Sequence, residues 1–337
     1  LQINLSMQIL KKLVTPSLEW LIIPIIFSAI LWFLPAILGI AHPQDSYPFQ
    51  LFGTFTWFTL SAGWAHIIQF FFQIAIGLTL MRWCERWQLI PLRSVIPLFV
   101  ALFVMSIIAD LQFFDARTIA LILFLLAISE LLSMYSYNGE KASAAFNIGF
   151  LIISAAFFHV EYAYLLVIFV IGMIIFSTFT IRTFFALLSG ILVPLFLVWS
   201  AFFLSDNLPI LYAILGDSHL NMFDLSSLSL LRTDVLLGGV LLVLFLMALV
   251  SYFSVSLNFK LHVRLNFFFI NLAFVLGVIW VALFFYKLDV LLVVPIIFLI
   301  LLLSFFFSTN QSKFVNIVFI AFIVLGLAYR VLNLLGF

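Results

Sequence analysis

Long apolar stretches alternate along this chain with short polar segments, and most of the charged residues fall in the polar segments. A bilayer core of about 30 Å requires about 20 apolar residues in helical form. Because the core contains no water, only helices or closed barrels satisfy every backbone N–H and C=O group there. The stretches have helical rather than strand length. They predict an all-α fold, a polytopic transmembrane helical bundle that forms a single integral membrane domain over residues 1–337.

The pattern predicts about eleven spans, within a range of ten to twelve. They cover residues 18–41, 55–81, 91–110, 118–136, 144–159, 162–180, 183–204, 234–257, 265–286, 289–309 and 314–335. The first stretch is longer than the apolar part of a signal peptide, so we expect it to be an uncleaved span.

The basic residues predict the orientation, because cytoplasmic loops are enriched in Lys and Arg. With the N-terminus in the cytoplasm, ten basic residues lie on the inner side and four on the outer side. The inner group is Lys11, Lys12, Arg82, Arg86, Arg93, Lys141, Arg182, Lys260, Arg264 and Lys313, and the outer group is Arg117, Arg232, Lys287 and Arg330.

Acidic residues and histidines gather on the opposite side. This orientation places nine of the thirteen acids at the outer face, and His42, His66, His159 and His219 lie there or in the outer half of a span. Residues 205–233 form one long outer loop. The helical spacing of its apolar residues predicts an interfacial helix that lies on the outer leaflet.

Composition agrees with a membrane protein and excludes several other classes. Hydrophobic residues make up 66% of the chain and charged residues 8%, against roughly 25% charged in soluble domains. The net charge is +1 and no basic run occurs, so we expect no nucleic-acid partner. The single cysteine, Cys84, excludes an intrachain disulfide. No spacing matches a metal motif, and the sequence identifies neither a metal nor a cofactor.

Polar residues inside two spans are the candidates for a substrate path. His66, Gln69 and Gln73 lie three and four residues apart in the second span, which places them on one stripe of a helix. Glu130 lies within the fourth span. Such residues are costly in a membrane and indicate function by default. Two interpretations stand: a polar path for transport, or hydrogen bonds and ion pairs that hold neighbouring helices together.

Acids of the outer face are the candidates for a catalytic site. Asp45 follows the first span, Asp110 ends the third, and Glu161 lies in the turn between the fifth and the sixth. Carboxylates that converge from several loops provide a general base or cation ligands. The alternative is that each of them is a solvated loop residue.

Part of the chain resembles a known family. The residues concerned are Phe-Asn-Ile-Gly-Phe at 146–150, the turn that ends at Arg182, and Gly-Ile-Leu-Val-Pro at 190–194. Over residues 144–205 they resemble an uncharacterised family of multi-pass inner-membrane proteins from bacteria with two membranes. The resemblance implies the bacterial inner (cytoplasmic) membrane and no established activity. It leads us to expect an acid after the arginine, paired with Arg182, where this chain has Thr183.

Three functions follow from these features. The first is the handling of a lipid or lipid-linked envelope substrate at the outer leaflet, with membrane lipid as the partner and the outer acids at the site. The second is a transporter or flippase with a polar path near His66 and Glu130. The third is a non-catalytic subunit of an envelope membrane complex. The sequence alone does not decide whether the protein is an enzyme.

Overall fold

A computed structural model describes residues 18–37, 46–51, 55–90, 94–108, 111–136, 141–209, 232–255, 259–283, 292–309 and 312–334. Within these residues, six helices are long and apolar enough to cross a membrane, and five shorter apolar helical stretches accompany them. The prediction of a helical membrane protein is confirmed. The count of eleven spans and the cytoplasmic N-terminus stay predictions.

The elements follow one another along the chain in this order. They are α1 (Leu18–Ile37), β1 (Ser46–Leu51), β2 (Phe55–Ser61), α2 (Ala62–Arg86), α3 (Ile96–Ile107), α4 (Ala116–Ser136), α5 (Lys141–Ala156), α6 (Glu161–Tyr164), α7 (Leu166–Ile175), α8 (Ile181–Leu204), α9 (Arg232–Val255), α10 (Leu261–Leu283), α11 (Val293–Thr309) and α12 (Lys313–Leu334).

A β-hairpin precedes α2, and the prediction that the second span begins at residue 55 is wrong. Strands β1 and β2 pair antiparallel from Ser46 opposite Ser61 to Leu51 opposite Phe55, with an irregularity between Phe49 and Gln50. Aromatic and β-branched residues crowd residues 55–59, and these residue types favour strands. The helix therefore begins only at Ala62.

Two helices form the centre of the bundle. All twelve residues of α3 are buried, and so are residues 293–308 of α11. A helix that is apolar on every side is stable only when other helices surround it or lipid does, and here helices do. Helices α1, α2 and α12 pack on α3, helices α9 and α10 pack on α11, and α3 and α11 contact each other.

Aromatic rings connect the two central helices to α12. The rings of Phe103 and Phe322 meet edge to face at 5.1 Å, and Phe307 contacts Phe319 at 5.0 Å. Such pairs contribute about 0.5–1.5 kcal/mol beyond their buried area. The last helix of the chain is thereby fixed against a helix formed near its beginning.

Helix α8 contacts the bundle almost entirely through α5. Only 17% of its most apolar stretch is buried. The contact is close because glycines face each other: a Cβ added at Gly149 would lie 2.5 Å from the Leu187 carbonyl oxygen, and one added at Gly190 would overlap the Phe146 carbonyl oxygen. Small residues allow this approach of backbones in membranes. Both glycines belong to the segments on which the family resemblance rests.

The N-terminus of α8 explains the residue that departs from the family pattern. The Thr183 backbone N–H donates to the Thr180 hydroxyl, and the Thr180 N–H donates to the Thr183 hydroxyl at 2.8 Å. This reciprocal pair is a capping box, in which the second position is ordinarily Glu or Gln. Thr183, which stands where the resemblance predicts an acid, therefore caps the helix.

Most of the predicted outer loop, residues 205–233, lies outside the described residues. Helix α8 ends at Leu204 and α9 begins at Arg232. Residues 210–231, which include the predicted interfacial helix, lie in the part of the chain that the structure does not describe.

We expect Gly149→Val to destabilise the protein by at least about 1–3 kcal/mol, because the new side chain overlaps backbone that cannot move away. Gly238→Ala is the matched control, since a Cβ there meets nothing within 4 Å and alanine favours a helix over glycine. Denaturant or thermal unfolding in detergent measures both. Equal stability of the two variants would contradict the close α5–α8 contact.

Candidate functional site

The polar site surrounds the C-terminal end of α3, where the helix stops before it is long enough to cross a membrane. A helix of twelve residues rises about 18 Å, too little to cross a bilayer core. The backbone leaves the helix at Ile108, with φ −81° and ψ 110°, and Leu111 and Gln112 are still buried. The last carbonyl groups of a helix have no partner within it. In an apolar interior these carbonyls must be satisfied by side chains.

Two glutamines of α2 bind carbonyl groups within α3 and just beyond its end. The Gln73 amide donates to the Leu102 carbonyl at 2.9 Å and to the Ser106 hydroxyl at 3.2 Å. One turn away, the Gln69 amide donates to the Leu111 carbonyl at 3.1 Å, and its oxygen accepts from the Thr118 hydroxyl at 2.8 Å. The predicted stripe therefore faces α3 and the chain that follows it.

His66 bridges two backbone carbonyl groups. Its Nδ1 lies 3.1 Å from the Gln112 carbonyl oxygen and its Nε2 lies 3.1 Å from the Trp32 carbonyl oxygen. Either ring tautomer carries an N–H, so the ring donates to at least one of the two carbonyl groups. The ring also stacks on the indole of Trp32 at 5.1 Å between centroids.

Arg330 reaches the same site from α12. Its Nη2 donates to the Gln112 side-chain oxygen at 2.7 Å, while the Gln112 amide donates to the Ser106 carbonyl at 2.8 Å. Arg330 is 2% exposed, and its Nε has no hydrogen-bond partner. The two residues are 218 positions apart in sequence. Gln112 therefore joins the first and last parts of the bundle.

A second polar cluster lies at the start of α4 and at the α5–α6 turn. Arg117 forms an ion pair with Asp115, and His159 Nδ1 lies 4.0 Å from Glu161 Oε2. Tyr162 directly follows Glu161, and its ring contacts that of Phe124 in α4 at 6.1 Å between centroids, so this turn lies against the helix that carries Arg117. We call these five residues the charged cluster. Thr118, the partner of Gln69, directly follows Arg117, so the cluster continues the polar site.

The predicted site residues thus fall into three groups. His66, Gln69 and Gln73 share the polar site at the end of α3, and Glu161 belongs to the charged cluster beside it. Glu130 lies twelve residues beyond Thr118 on α4, or about 18 Å along the helix axis. Asp45 and Asp110 lie outside the described residues.

Sequence reasoning missed Gln112, Ser106, Thr118 and the contact of Arg330. Gln112 is the second residue after the end of a predicted span, and Arg330 was used only in the count of basic residues. A glutamine beside an apolar run, and an arginine within the last span, were signals that a buried polar contact exists. Neither signal identifies the partner.

A large apolar groove opens between α5 and α8. It has a volume of about 890 Å³, and its wall includes Ile153, Phe157 and Val160 on one side and Leu195, Phe196 and Trp199 on the other. These residues follow the Gly149–Gly190 contact along α5 and α8. His159 and Glu161, the chain neighbours of Val160, belong to the charged cluster.

Metal binding has no support in the described part of the chain, where no three His, Cys, Asp or Glu side chains are grouped suitably for an ion. Comparison of the chain with known proteins adds no identity: no family model, curated protein or solved structure matches it. The resemblance over residues 144–205 therefore stays a prediction, and the site rests on its own geometry.

We expect Thr118→Val to destabilise the protein by about 1–3 kcal/mol, because the buried oxygen of Gln69 loses its donor. The matched control is Thr79→Val in α2. The Thr79 hydroxyl donates only to the Ala75 carbonyl of its own helix, and its loss should cost a few tenths of a kcal/mol. Chemical unfolding of the two variants in the same detergent separates them.

Proposed function

We propose that the protein binds a lipid or lipid-linked molecule of the bacterial cell envelope from the outer leaflet of the inner membrane. The apolar chain would occupy the groove between α5 and α8, and the polar end would meet the charged cluster. One observation carries this proposal: Val160, which lies in the turn between His159 and Glu161, lines the groove of about 890 Å³.

The groove has the character of a site for a hydrocarbon chain. Its lining is apolar throughout, from Ile153 and Phe157 on one side to Leu195, Phe196 and Trp199 on the other. Ligand sites are typically concave and apolar, with a few polar groups that fix orientation. The contact between Gly149 and Gly190 holds α5 and α8 together, and the groove opens between the two helices beyond that contact.

The charged cluster supplies the polar end of such a site. Arg117 and Asp115 are each 17% exposed at their side chains, and His159 is 16% exposed, so all three are partly accessible. Arg117 can donate paired hydrogen bonds to a phosphate or carboxylate. Glu161 and His159 are the residues placed to exchange a proton with a bound head group.

The predicted topology would put this site in the outer leaflet, because it puts the α5–α6 turn and the end of α8 outside. Asp45 and Asp110 belong to the same predicted face and remain candidates beside Glu161. The other candidate functions are a transporter or flippase with a polar path near His66 and Glu130, and a non-catalytic subunit of an envelope membrane complex.

The groove is tested by filling it. We expect Leu195→Trp to reduce photo-crosslinking of a diazirine-bearing polyprenyl phosphate by about tenfold, since the indole displaces the chain from a site that binds it specifically. Leu188→Trp on the same helix is the matched control, because residue 188 is exposed to lipid outside the groove. The readout is mass-spectrometric mapping of the adducts in purified protein.

Competition separates a site from ordinary lipid contact. Unlabelled polyprenyl phosphate should remove the adducts on α5 and α8, and phosphatidylcholine should not. If both lipids compete equally, or if the two tryptophan variants give equal labelling, the groove is ordinary lipid-facing surface and the proposal fails.

A further inference from the structure

Helices α9 and α12 border a second groove, which lies at one end of the bundle. It has a volume of about 490 Å³, and its wall includes Leu246 of α9, Phe306 of α11 and Phe314 of α12. The lining continues to Val255, the last residue of α9, and to Ser312, which directly precedes the first residue of α12. The groove therefore reaches the end of both helices.

The groove is as deep as one leaflet of a membrane. On α9 its lining extends from Val243 to Val255, or about 18 Å along the helix axis. One leaflet contributes half of a hydrocarbon core of about 30 Å. Leu246 and Val250 in the lining are 51% and 64% exposed, so the groove is open to the surrounding lipid. An acyl chain that starts at the end of the helices fits along it.

Three serines add hydroxyl groups to this otherwise apolar lining. They are Ser251 and Ser254 in the last two turns of α9 and Ser312 before α12. Ser312 Oγ accepts from the Val315 backbone N–H at 3.3 Å. A hydroxyl that accepts one hydrogen bond can still donate another. These side chains suit the ester and phosphate oxygens of a lipid.

The end of the bundle at which the groove opens is basic. Lys313 directly follows Ser312 of the lining and is exposed. Lys260 and Arg264 lie at the start of α10, beside the end of α9, because the Tyr252 hydroxyl of α9 donates to the Arg264 carbonyl at 3.2 Å.

No acidic residue of the same helices balances these charges. Residues 235–288 and 290–337 contain no Asp or Glu. These two ranges include both connections at this end, from α9 to α10 and from α11 to α12. Basic sites between transmembrane helices bind the head groups of anionic lipids. A groove for a hydrocarbon chain that ends at a basic rim is complementary to such a lipid.

We infer that the groove between α9 and α12 binds an anionic phospholipid. One acyl chain lies along α9, and the phosphate lies at the serines and within the positive field of Lys313. The predicted topology puts this end of the bundle in the cytoplasm, where the leaflet carries anionic lipids. The site shares no lining residue with the α5–α8 groove and does not depend on the proposed function.

Photo-crosslinking compares lipids that differ only in their head groups. The full-length protein in a neutral detergent is labelled with phosphatidylglycerol that carries a diazirine in one acyl chain, and the adducts are mapped by mass spectrometry. We expect adducts on α9 and α12. Unlabelled phosphatidylglycerol should compete at least about fivefold more effectively than phosphatidylcholine with the same chains, because a basic rim favours the anionic head group. Equal competition by the two lipids, or a lack of adducts on both helices, would overturn the inference.

One pair of variants tests the head group. Lys313→Gln should weaken competition by phosphatidylglycerol about fivefold, the effect of one basic residue near an anionic lipid, and should leave competition by phosphatidylcholine unchanged. Arg82→Gln is the matched control, because it removes the same charge at an exposed position of α2, and it should change neither. Equal effects of the two variants would overturn the inference.

A second pair of variants tests the acyl chain. Leu246→Trp should abolish the adducts on α9, because the indole occupies the groove. Ile320→Trp should keep them, since Ile320 is 44% exposed on α12 and lies outside the lining. Both side chains are exposed, so these substitutions leave the buried packing of the bundle intact. Unchanged labelling of α9 in Leu246→Trp would overturn the inference.

Discussion

This bundle depends on one constraint: a helix that ends in an apolar interior leaves backbone carbonyl groups that need hydrogen-bond donors. Helix α3 stops after twelve residues, and the chain beyond it stays buried where water is not available to bind it. Side chains supply donors at this break. The Gln112 amide donates to the Ser106 carbonyl near the end of α3. The Gln69 amide of α2 donates to the Leu111 carbonyl just beyond it, and Gln112 extends the set to Arg330 of α12. These contacts join α2, α3 and α12.

Polar and apolar parts of the molecule are separated. The polar side chains of this site gather where α3 is interrupted, and the central stretches of α3 and α11 contain almost only apolar residues. Helix α8 is held differently: it packs closely on α5 at Gly149 and Gly190, and most of its apolar stretch lies on the surface of the bundle. The groove between α5 and α8 lies beyond that contact.

Hydropathy predicts most of the helices because a membrane span requires a minimum number of apolar residues, and this requirement is local in sequence. The hydropathy prediction fails where a segment does not form a complete membrane span. Residues 55–61 belong to the second predicted span but form a strand. Residues 91–110 were predicted to form a full span, whereas the helix covers residues 96–107. The stripe of His66, Gln69 and Gln73 was visible from its spacing. Its partners were not, since the contact between Gln112 and Arg330 joins residues 218 positions apart and no local pattern records it.

The contact between Gln112 and Arg330 has a consequence for how the chain is made. Helix α3 is synthesised before α11 and α12, which pack on it. Until those two helices are in place, α3 lacks two of its neighbours and Gln112 lacks the hydrogen bond from Arg330. Packing around the interrupted helix is therefore completed only by helices that lie about two hundred residues further along the chain.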